Sequence, residues 1–260
     1  MGLFTPREPG FDMSVRQTGF NRYRQLLSIF AENWLKINLF TVVGLLPLAT
    51  GIVFSILSSS VLVLLPCSVA GGMIFGPFLA GMYDAVLRGL RDTPENWWAA
   101  YKKSWKQNWK ESLLPGALIG LLAGMYAFMA GLMWWAQVAP STGTIVLYLF
   151  AGLLFLLLNT LYWPQMVLFR QTARNRLRNI ILFTAKYLWR VLGVSLLQLA
   201  YILIYIFFAP WTLFLLPLLG VWYIVFLSMF FLYAPLDQEF QIEAQLMPRR
   251  PAPDEGSDLL

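Results

Sequence analysis

Three long stretches of the chain contain no charged side chain, and they define its hydrophobic pattern. They cover residues 37-83, 112-169 and 191-236. One helical crossing of a bilayer takes about 20 apolar residues at a rise of about 1.5 Å each, so every stretch is too long for one crossing and suits two. The pattern therefore predicts an all-α, polytopic membrane protein with about six transmembrane helices, arranged as three hairpins.

The charged segments that precede the three stretches have the spacing of amphipathic helices. We expect a single integral membrane domain over residues 1-246, followed by a Pro-rich, charged tail, residues 247-260, that is predicted to be disordered. The turn of the first hairpin falls either at residues 58-60 or at residues 66-72. The domain alternates amphipathic helices and hairpins in the order 14-36, 37-87, 94-110, 113-168, 173-190 and 191-234.

The basic residues predict which side of the membrane each segment occupies. An even number of crossings separates each basic block from the next, and the positive-inside rule places such blocks in the cytoplasm. Both termini are therefore predicted to be cytoplasmic. Residues 1-20 contain no apolar core of signal-peptide length, so the first transmembrane helix is expected to serve as an uncleaved insertion signal. The blocks cover residues 7-36, 88-110, 170-190 and 249-250.

The composition argues against a soluble fold and against the common catalytic groups. Charged residues make up 12% of the chain, whereas soluble domains average roughly 25%. There is no histidine and a single cysteine, Cys67, which removes the usual metal ligands, the commonest general base and any internal disulfide. The remaining carboxylates are scattered along the predicted cytoplasmic edge, so we expect no enzyme activity and no cofactor.

The net charge of +6 comes from basic residues that are interleaved with tryptophan beside apolar spans. This pattern favours a bilayer with anionic headgroups as the partner and disfavours nucleic acid. Aromatic and basic side chains together are typical of the membrane–water interface. The predicted interface anchors are Trp34, Lys36, Trp97, Trp98, Trp105, Lys106, Trp109, Lys110, Trp189 and Arg190.

The block before the second hairpin is the richest in such anchors. Trp97, Tyr101, Trp105 and Trp109 recur every four residues, and four lysines lie on the neighbouring arc. This arrangement is typical of a helix lying in the headgroup plane, with its rings toward lipid and its ammonium groups toward phosphate. Docking onto a cytoplasmic protein, as the coupling helices of permeases dock on their motor subunits, is the alternative.

The predicted spans carry no ionisable side chain in their interior, which disfavours an ion pump or a proton-coupled transporter. Asp84 lies at the end of its span, four residues before Arg88, where a local ion pair is expected. Three amide side chains inside the spans are expected to form hydrogen bonds between helices, namely Asn159, Gln165 and Gln198. Holding a neutral solute between amides and aromatic rings is the alternative role for them.

A ridge of glycines in the third predicted span indicates close helix packing. Gly116, Gly120 and Gly124 recur every four residues and so share one helix face. Small residues on one face let two helix backbones approach closely. The partner helix belongs either to the same subunit or to a second copy in a homo-oligomer.

Two segments of the sequence carry a resemblance to a known family. They read NLFTVVGLLPLATG and GPFLAGMYDAVLRGLRDTPENWWAAYKKSWKQNWKESLL. Over residues 34-115 the chain resembles the YesL-like family of small bacterial integral membrane proteins, whose function is not established. The shared features, a Leu-Pro followed by threonine, a Gly-rich turn into a basic-ended helix and a closing Asn-aromatic-Lys, fall on Leu46, Pro47, Thr50, Gly81, Tyr83, Arg88, Asn108, Trp109 and Lys110.

Members of that family often occur beside genes for carbohydrate uptake and polysaccharide degradation. The resemblance therefore implies a non-enzymatic accessory or scaffold protein of the bacterial cytoplasmic membrane, associated with a carbohydrate permease. A permease or ATPase subunit would then be its partner. The alternative function is transport of a small neutral solute such as a sugar.

Overall fold

A computed structural model describes residues 16-93, 96-136, 140-208 and 211-246, and these residues form helices and connecting segments with no strand. The tail predicted to be disordered, residues 247-260, lies outside the described residues. A short 3-10 helix, Trp211–Leu215, precedes the seventh α-helix. The α-helices are α1 Gly19–Leu57, α2 Val61–Leu90, α3 Trp97–Ala136, α4 Thr142–Leu168, α5 Ala173–Lys186, α6 Leu188–Phe207, α7 Leu216–Phe240 and α8 Ile242–Leu246.

Six of these helices, α1, α2, α3, α4, α6 and α7, are long and apolar enough to cross a membrane. The predicted all-α fold with six membrane-spanning helices is confirmed, and the chain is a multi-pass membrane protein. Of the two turns considered for the first hairpin, the structure has the one at residues 58-60, where Ser59 adopts a positive φ of 49°. Pro66, in the other candidate turn, lies inside α2.

Two of the three predicted amphipathic helices are not separate helices. α1 and α3 continue without a break from the charged segment into the apolar span, so the predicted divisions after residues 36 and 110 are wrong. Residues 34-40 and 108-113 contain neither glycine nor proline, the residues that most often end a helix. Only the third predicted amphipathic segment forms its own helix, α5, which is separated from α6 by Tyr187.

The glycine ridge of α3 packs against α2 of the same chain. A Cβ atom placed on Gly72 of α2 would lie 2.3 Å from the carbonyl oxygen of Gly116, and one on Gly120 would lie 2.2 Å from the carbonyl oxygen of Ser68. No larger side chain fits at such distances. The close approach makes α2 and α3 one tightly packed pair, and α1 packs against both of them.

The charged segments of several helices meet at one end of the bundle, which we call the charged end. Arg16, just before α1, bonds to Glu243 of α8, and Arg176 of α5 bonds to Glu111 of α3. The buried core of the second half of the chain also lies toward this end. The buried residues of α4 begin at Leu156 and those of α6 end at Gln198, so the opposite halves of these helices expose their apolar side chains.

Candidate interaction surface at the charged end

Arginines at the junction of α1, α2 and α8 are paired with carboxylates. Arg22, which is 8% exposed, donates to Asp92 at 2.7 Å and to the carbonyl oxygen of Leu90 at 3.1 Å. Arg16 donates to Glu243 at 2.6 Å. Because these bonds join segments that are far apart in the sequence, they fix the charged ends of the helices relative to one another.

Asp84 compensates buried positive charge one turn deeper in α2. Its carboxylate accepts a hydrogen bond from Arg88 at 2.7 Å, which confirms the predicted local ion pair. Arg91 is also buried, and burial lowers the pKa of its guanidinium while the nearby Asp84 carboxylate acts in the opposite direction. The Asp84 carboxylate is therefore engaged in holding two arginines in a low-dielectric environment.

The lysines of α3 have no such partners. Lys102, Lys103, Lys106 and Lys110 are exposed on the side of the helix opposite its buried face. None of them forms an ion pair within the described part of the chain. The ammonium group of Lys110 lies 5.8 Å from the ring centroid of the neighbouring Trp109. These four lysines form a basic strip that is available to an external partner.

The aromatic residues of α3 do not stay on one side of the helix. Residues four apart differ by about 40° in direction, so the direction turns by about 120° between Trp97 and Trp109. Trp97 and Tyr101 belong to the buried core, whereas Trp105 and Trp109 are exposed beside the lysines. The prediction that Trp97 is a lipid anchor is therefore wrong, and only the second half of the series flanks the basic strip.

Trp34 is also a core residue, so its prediction as an interface anchor is wrong. It is 0% exposed, its indole nitrogen donates to the carbonyl oxygen of Ala85 at 3.2 Å, and its ring centroid lies 4.8 Å from that of Phe226. The physical reason is that α2 and α7 both pack against α1 at this level and cover the ring. Lys36 and Trp98 are partly buried. The predicted anchors that are exposed are Trp105, Lys106, Trp109, Lys110, Trp189 and Arg190.

Helix α5 adds a second basic group beside α3. Arg176 is 2% exposed and donates to Glu111 of α3 at 2.9 Å and to the hydroxyl of Tyr162 of α4 at 3.0 Å. This buried arginine fixes α5 against the bundle. The arginines of this region that are exposed, and that pair with no carboxylate of the described residues, are Arg170, Arg174 and Arg178.

The three amides predicted inside the spans have different environments. Gln198 joins three helices, because it accepts a hydrogen bond from Thr160 of α4 at 2.7 Å and donates to Ser228 of α7 at 2.8 Å. Asn159 accepts a bond at 2.8 Å from the indole of a tryptophan one turn along its own helix. Gln165 is fully buried, and neither polar atom of its side chain has a partner among the described residues.

An interruption in α7 and its partner Asn38 were missed by sequence reasoning. At Gly220 the backbone leaves the helical region, with φ −30° and ψ −112°. Asn38 of α1 donates to the carbonyl oxygens of Leu216 at 3.0 Å and Pro217 at 2.8 Å, and accepts from the backbone N–H of Val221 at 3.0 Å. One amide side chain therefore bonds to both sides of the break.

Two further side chains complete the bonding of this interruption. Tyr201 of α6 donates to the carbonyl oxygen of Leu219 at 2.8 Å and to the next carbonyl at 3.0 Å. The indole of Trp222 donates to the carbonyl oxygen of Leu218 at 2.6 Å. The sequence signals for such a break are Pro217 and Gly220 in the last apolar stretch, together with Asn38 in the first.

The fold and the charged end define a multi-pass helical membrane protein with a basic surface on α3 and α5. No family model, no curated protein and no solved structure matches the chain. The resemblance to the YesL-like family stays a prediction.

Proposed function

We propose that the protein is a non-enzymatic scaffold or accessory component of a bacterial cytoplasmic membrane, with its charged end and both termini in the cytoplasm. The basic surface of α3 and α5 carries this proposal, because its four lysines and three arginines are exposed and pair with no carboxylate of the described residues. The positive-inside rule supports the orientation, since the basic side chains gather at this end.

The basic strip of α3 is suited to hold an acidic protein partner in a fixed position. The segment from Trp97 to Glu111 is about 21 Å long and continues into the span without a break. Its inner face is fixed by the buried Tyr101 and Ser104. Tryptophans beside complementary charge are the side chains that most often dominate protein interfaces, which supports Trp105 and its neighbours as contact residues.

The resemblance to the YesL-like family supports the class of partner. An ATPase or permease subunit of a carbohydrate uptake system would meet this strip at the cytoplasmic surface. The state of the carboxylates supports a non-enzymatic role. Asp84, Asp92 and Glu243 are each ion-paired with an arginine, so these three carboxylates are engaged in holding the helix ends together.

Photo-crosslinking in intact cells tests the scaffold proposal. A photoreactive amino acid at Lys106 is expected to give a discrete protein adduct that mass spectrometry identifies as one partner. Its matched control is the same amino acid at Phe150, an exposed apolar residue of α4 far from the strip. The charge-reversal variant K102E/K110E is expected to lose the Lys106 adduct, because two attractive charges become repulsive.

The proposal fails if Lys106 gives no protein adduct, or if Phe150 gives the same set of adducts. It also fails if the Lys106 adduct survives charge reversal unchanged. In that case the contact would not depend on the lysines.

Transport of a small neutral solute is the second candidate, and the interruption of α7 favours it because broken helices mark the substrate sites of many transporters. Here, however, the carbonyl groups of the break already accept hydrogen bonds from Asn38, Tyr201 and Trp222. A cleft between α1, α2 and α3 has a volume of about 40 Å³, small against the roughly 300 Å³ or more of ligand pockets. Sugar counterflow in liposomes that contain only this protein would favour transport over the scaffold.

A further inference from the structure

Helix α5 lies where lipid headgroups lie. It connects α4 to α6 through residues 169-172 on one side and Tyr187 on the other, and both neighbours are long and apolar enough to span a membrane. α4 and α6 also pack against each other through the hydrogen bond from Thr160 to Gln198 at 2.7 Å. A 14-residue helix held between the ends of two packed spans must lie at the bilayer surface.

The orientation of α5 about its own axis is fixed by buried contacts. Arg176, Ile180 and Phe183 face the bundle and are buried. At its far end, Lys186 donates to Glu239 of α7, and this hydrogen bond raises the pKa of the Lys186 ammonium. The helix therefore cannot rotate to bury its outer side.

The outer side of α5 has a basic half and an apolar half. The basic half consists of Arg174 and Arg178 of α5 together with Arg170 in the segment just before the helix, all exposed and without a carboxylate partner in the described part of the chain. The apolar half follows directly, with Ile181 and Leu182 each more than half exposed. Trp189, just beyond the helix, is 81% exposed.

We propose that this outer side of α5 is a binding site for an anionic phospholipid, with the phosphate on the three arginines and an acyl chain along the apolar half. The planar guanidinium group bonds to phosphate through two parallel N–H donors, which the ammonium of lysine does not. An exposed tryptophan at the membrane–water interface anchors the apolar side. This site does not depend on a protein partner at α3.

Lipid binding by the full-length protein in neutral detergent micelles tests the proposal, with native mass spectrometry as the readout. The probes are phosphatidylglycerol and phosphatidylcholine. The variant R170Q/R174Q/R178Q removes the three positive charges of the proposed site. The control variant K102Q/K103Q/K106Q removes three positive charges from α3 and leaves the site intact. We expect the arginine variant to bind phosphatidylglycerol at least about tenfold more weakly, since each cation near an anionic surface contributes to the affinity. The lysine variant should lose less than about twofold, and phosphatidylcholine should bind all three proteins weakly.

Equal losses in the two triple variants would show that net charge alone attracts the lipid and would overturn the proposal. Unchanged binding by the arginine variant would overturn it as well. Displacement of the lipid by an equal concentration of inorganic phosphate would exclude a contribution from the apolar half and so exclude a lipid site. If the triple variant does not fold, R174Q and R178Q singly are each expected to weaken phosphatidylglycerol binding by about fivefold, and no change in either would count against the site.

Discussion

Two groups of basic residues lie at the same end of the bundle in opposite electrostatic environments. At the junction of α1, α2 and α8, Arg16, Arg22 and Arg88 lie 2.6 to 2.7 Å from carboxylates. On α3, on α5 and in the segment just before α5, four lysines and three arginines are exposed and unpaired within the described part of the chain. The comparison teaches that the positions of a few acidic residues decide which cations hold the fold together and which remain available to a partner.

Burial makes a second distinction within the paired group. Asp84–Arg88 and Glu32–Lys36 are both pairs four residues apart on one helix, and both have an N–O distance of 2.7 Å. The Asp84 side chain is 7% exposed, whereas the Glu32 side chain is 52% exposed. Spacing and distance are thus matched, and the cations Arg88 and Lys36 are similarly exposed, at 21% and 18%. The two pairs therefore compare a buried carboxylate with a half-exposed one.

The largest effect is expected for Asp84→Asn. The substitution keeps the shape of the side chain and removes the carboxylate that accepts from Arg88 and that lies near the buried Arg91, which leaves the buried Arg91 guanidinium with less compensating charge. Breaking a buried pair from one side typically costs about 3–5 kcal/mol, and we expect the free energy of unfolding to fall by that amount. Unfolding in mixed micelles of dodecyl sulfate measures it.

A loss below about 1 kcal/mol for Asp84→Asn would contradict the comparison. Such a result would mean that water reaches these arginines as freely as it reaches an exposed pair. The paired group would then not differ from the exposed one in its contribution to stability.

The next largest effect is expected for Arg176→Met, which removes the buried arginine that ties α5 to α3 and α4. Its carboxylate partner Glu111 has a side chain that is 51% exposed and can be solvated when the arginine is lost. We therefore expect a smaller loss than for Asp84, about 1–3 kcal/mol, mainly from the lost hydrogen bonds. Arg178→Met, on the exposed side of the same helix, is the control and should change stability by less than about 0.5 kcal/mol. Equal losses in the two variants would contradict the assignment of Arg176 as the fixing residue.

The membrane-spanning fold is the part that the sequence predicts well. Because the hydrocarbon core excludes ionic groups, membrane spans are visible in the sequence as long uncharged stretches. The turn at residues 58-60 was among the two predicted positions, and the pairing of Asp84 with Arg88 followed from their spacing. Of the three separate amphipathic helices that were predicted, only α5 exists. An amphipathic segment and an apolar one share the same helical geometry, and nothing in the sequence obliges the chain to break between them.

The candidate surface was predicted only in part, for a physical reason that Trp34 and Trp189 illustrate. Each lies close to a basic residue at the start of an apolar stretch, yet Trp34 is 0% exposed and Trp189 is 81% exposed. The difference comes from α2 and α7, which pack against α1 and cover Trp34. Contacts between residues this far apart in sequence leave no local signal, and the bonding of Asn38 to α7 was missed for the same reason.

A small effect is expected for Glu32→Gln, the exposed counterpart of the Asp84 substitution. Because the Glu32 carboxylate is half exposed and water already competes for it, the free energy of unfolding should fall by about 0.3–0.5 kcal/mol. The same unfolding assay measures it, and added salt should reduce the difference further. A loss as large as that of Asp84→Asn would show that distance and spacing, and not burial, set the strength of these pairs.

The smallest effect on stability is expected for K102Q/K103Q/K106Q on the basic strip of α3. Lys102 and Lys106 are four residues apart and repel each other, so their replacement should leave the free energy of unfolding unchanged or raise it by a few tenths of a kcal/mol. In cells, the same variant should weaken a partner crosslink formed from Trp109, which stays in place beside the strip. A fall in stability above about 1 kcal/mol would mean that these lysines hold the fold together like the arginines of the paired group. Unchanged stability with a weakened crosslink would instead show that the exposed lysines serve binding and that the paired arginines serve stability.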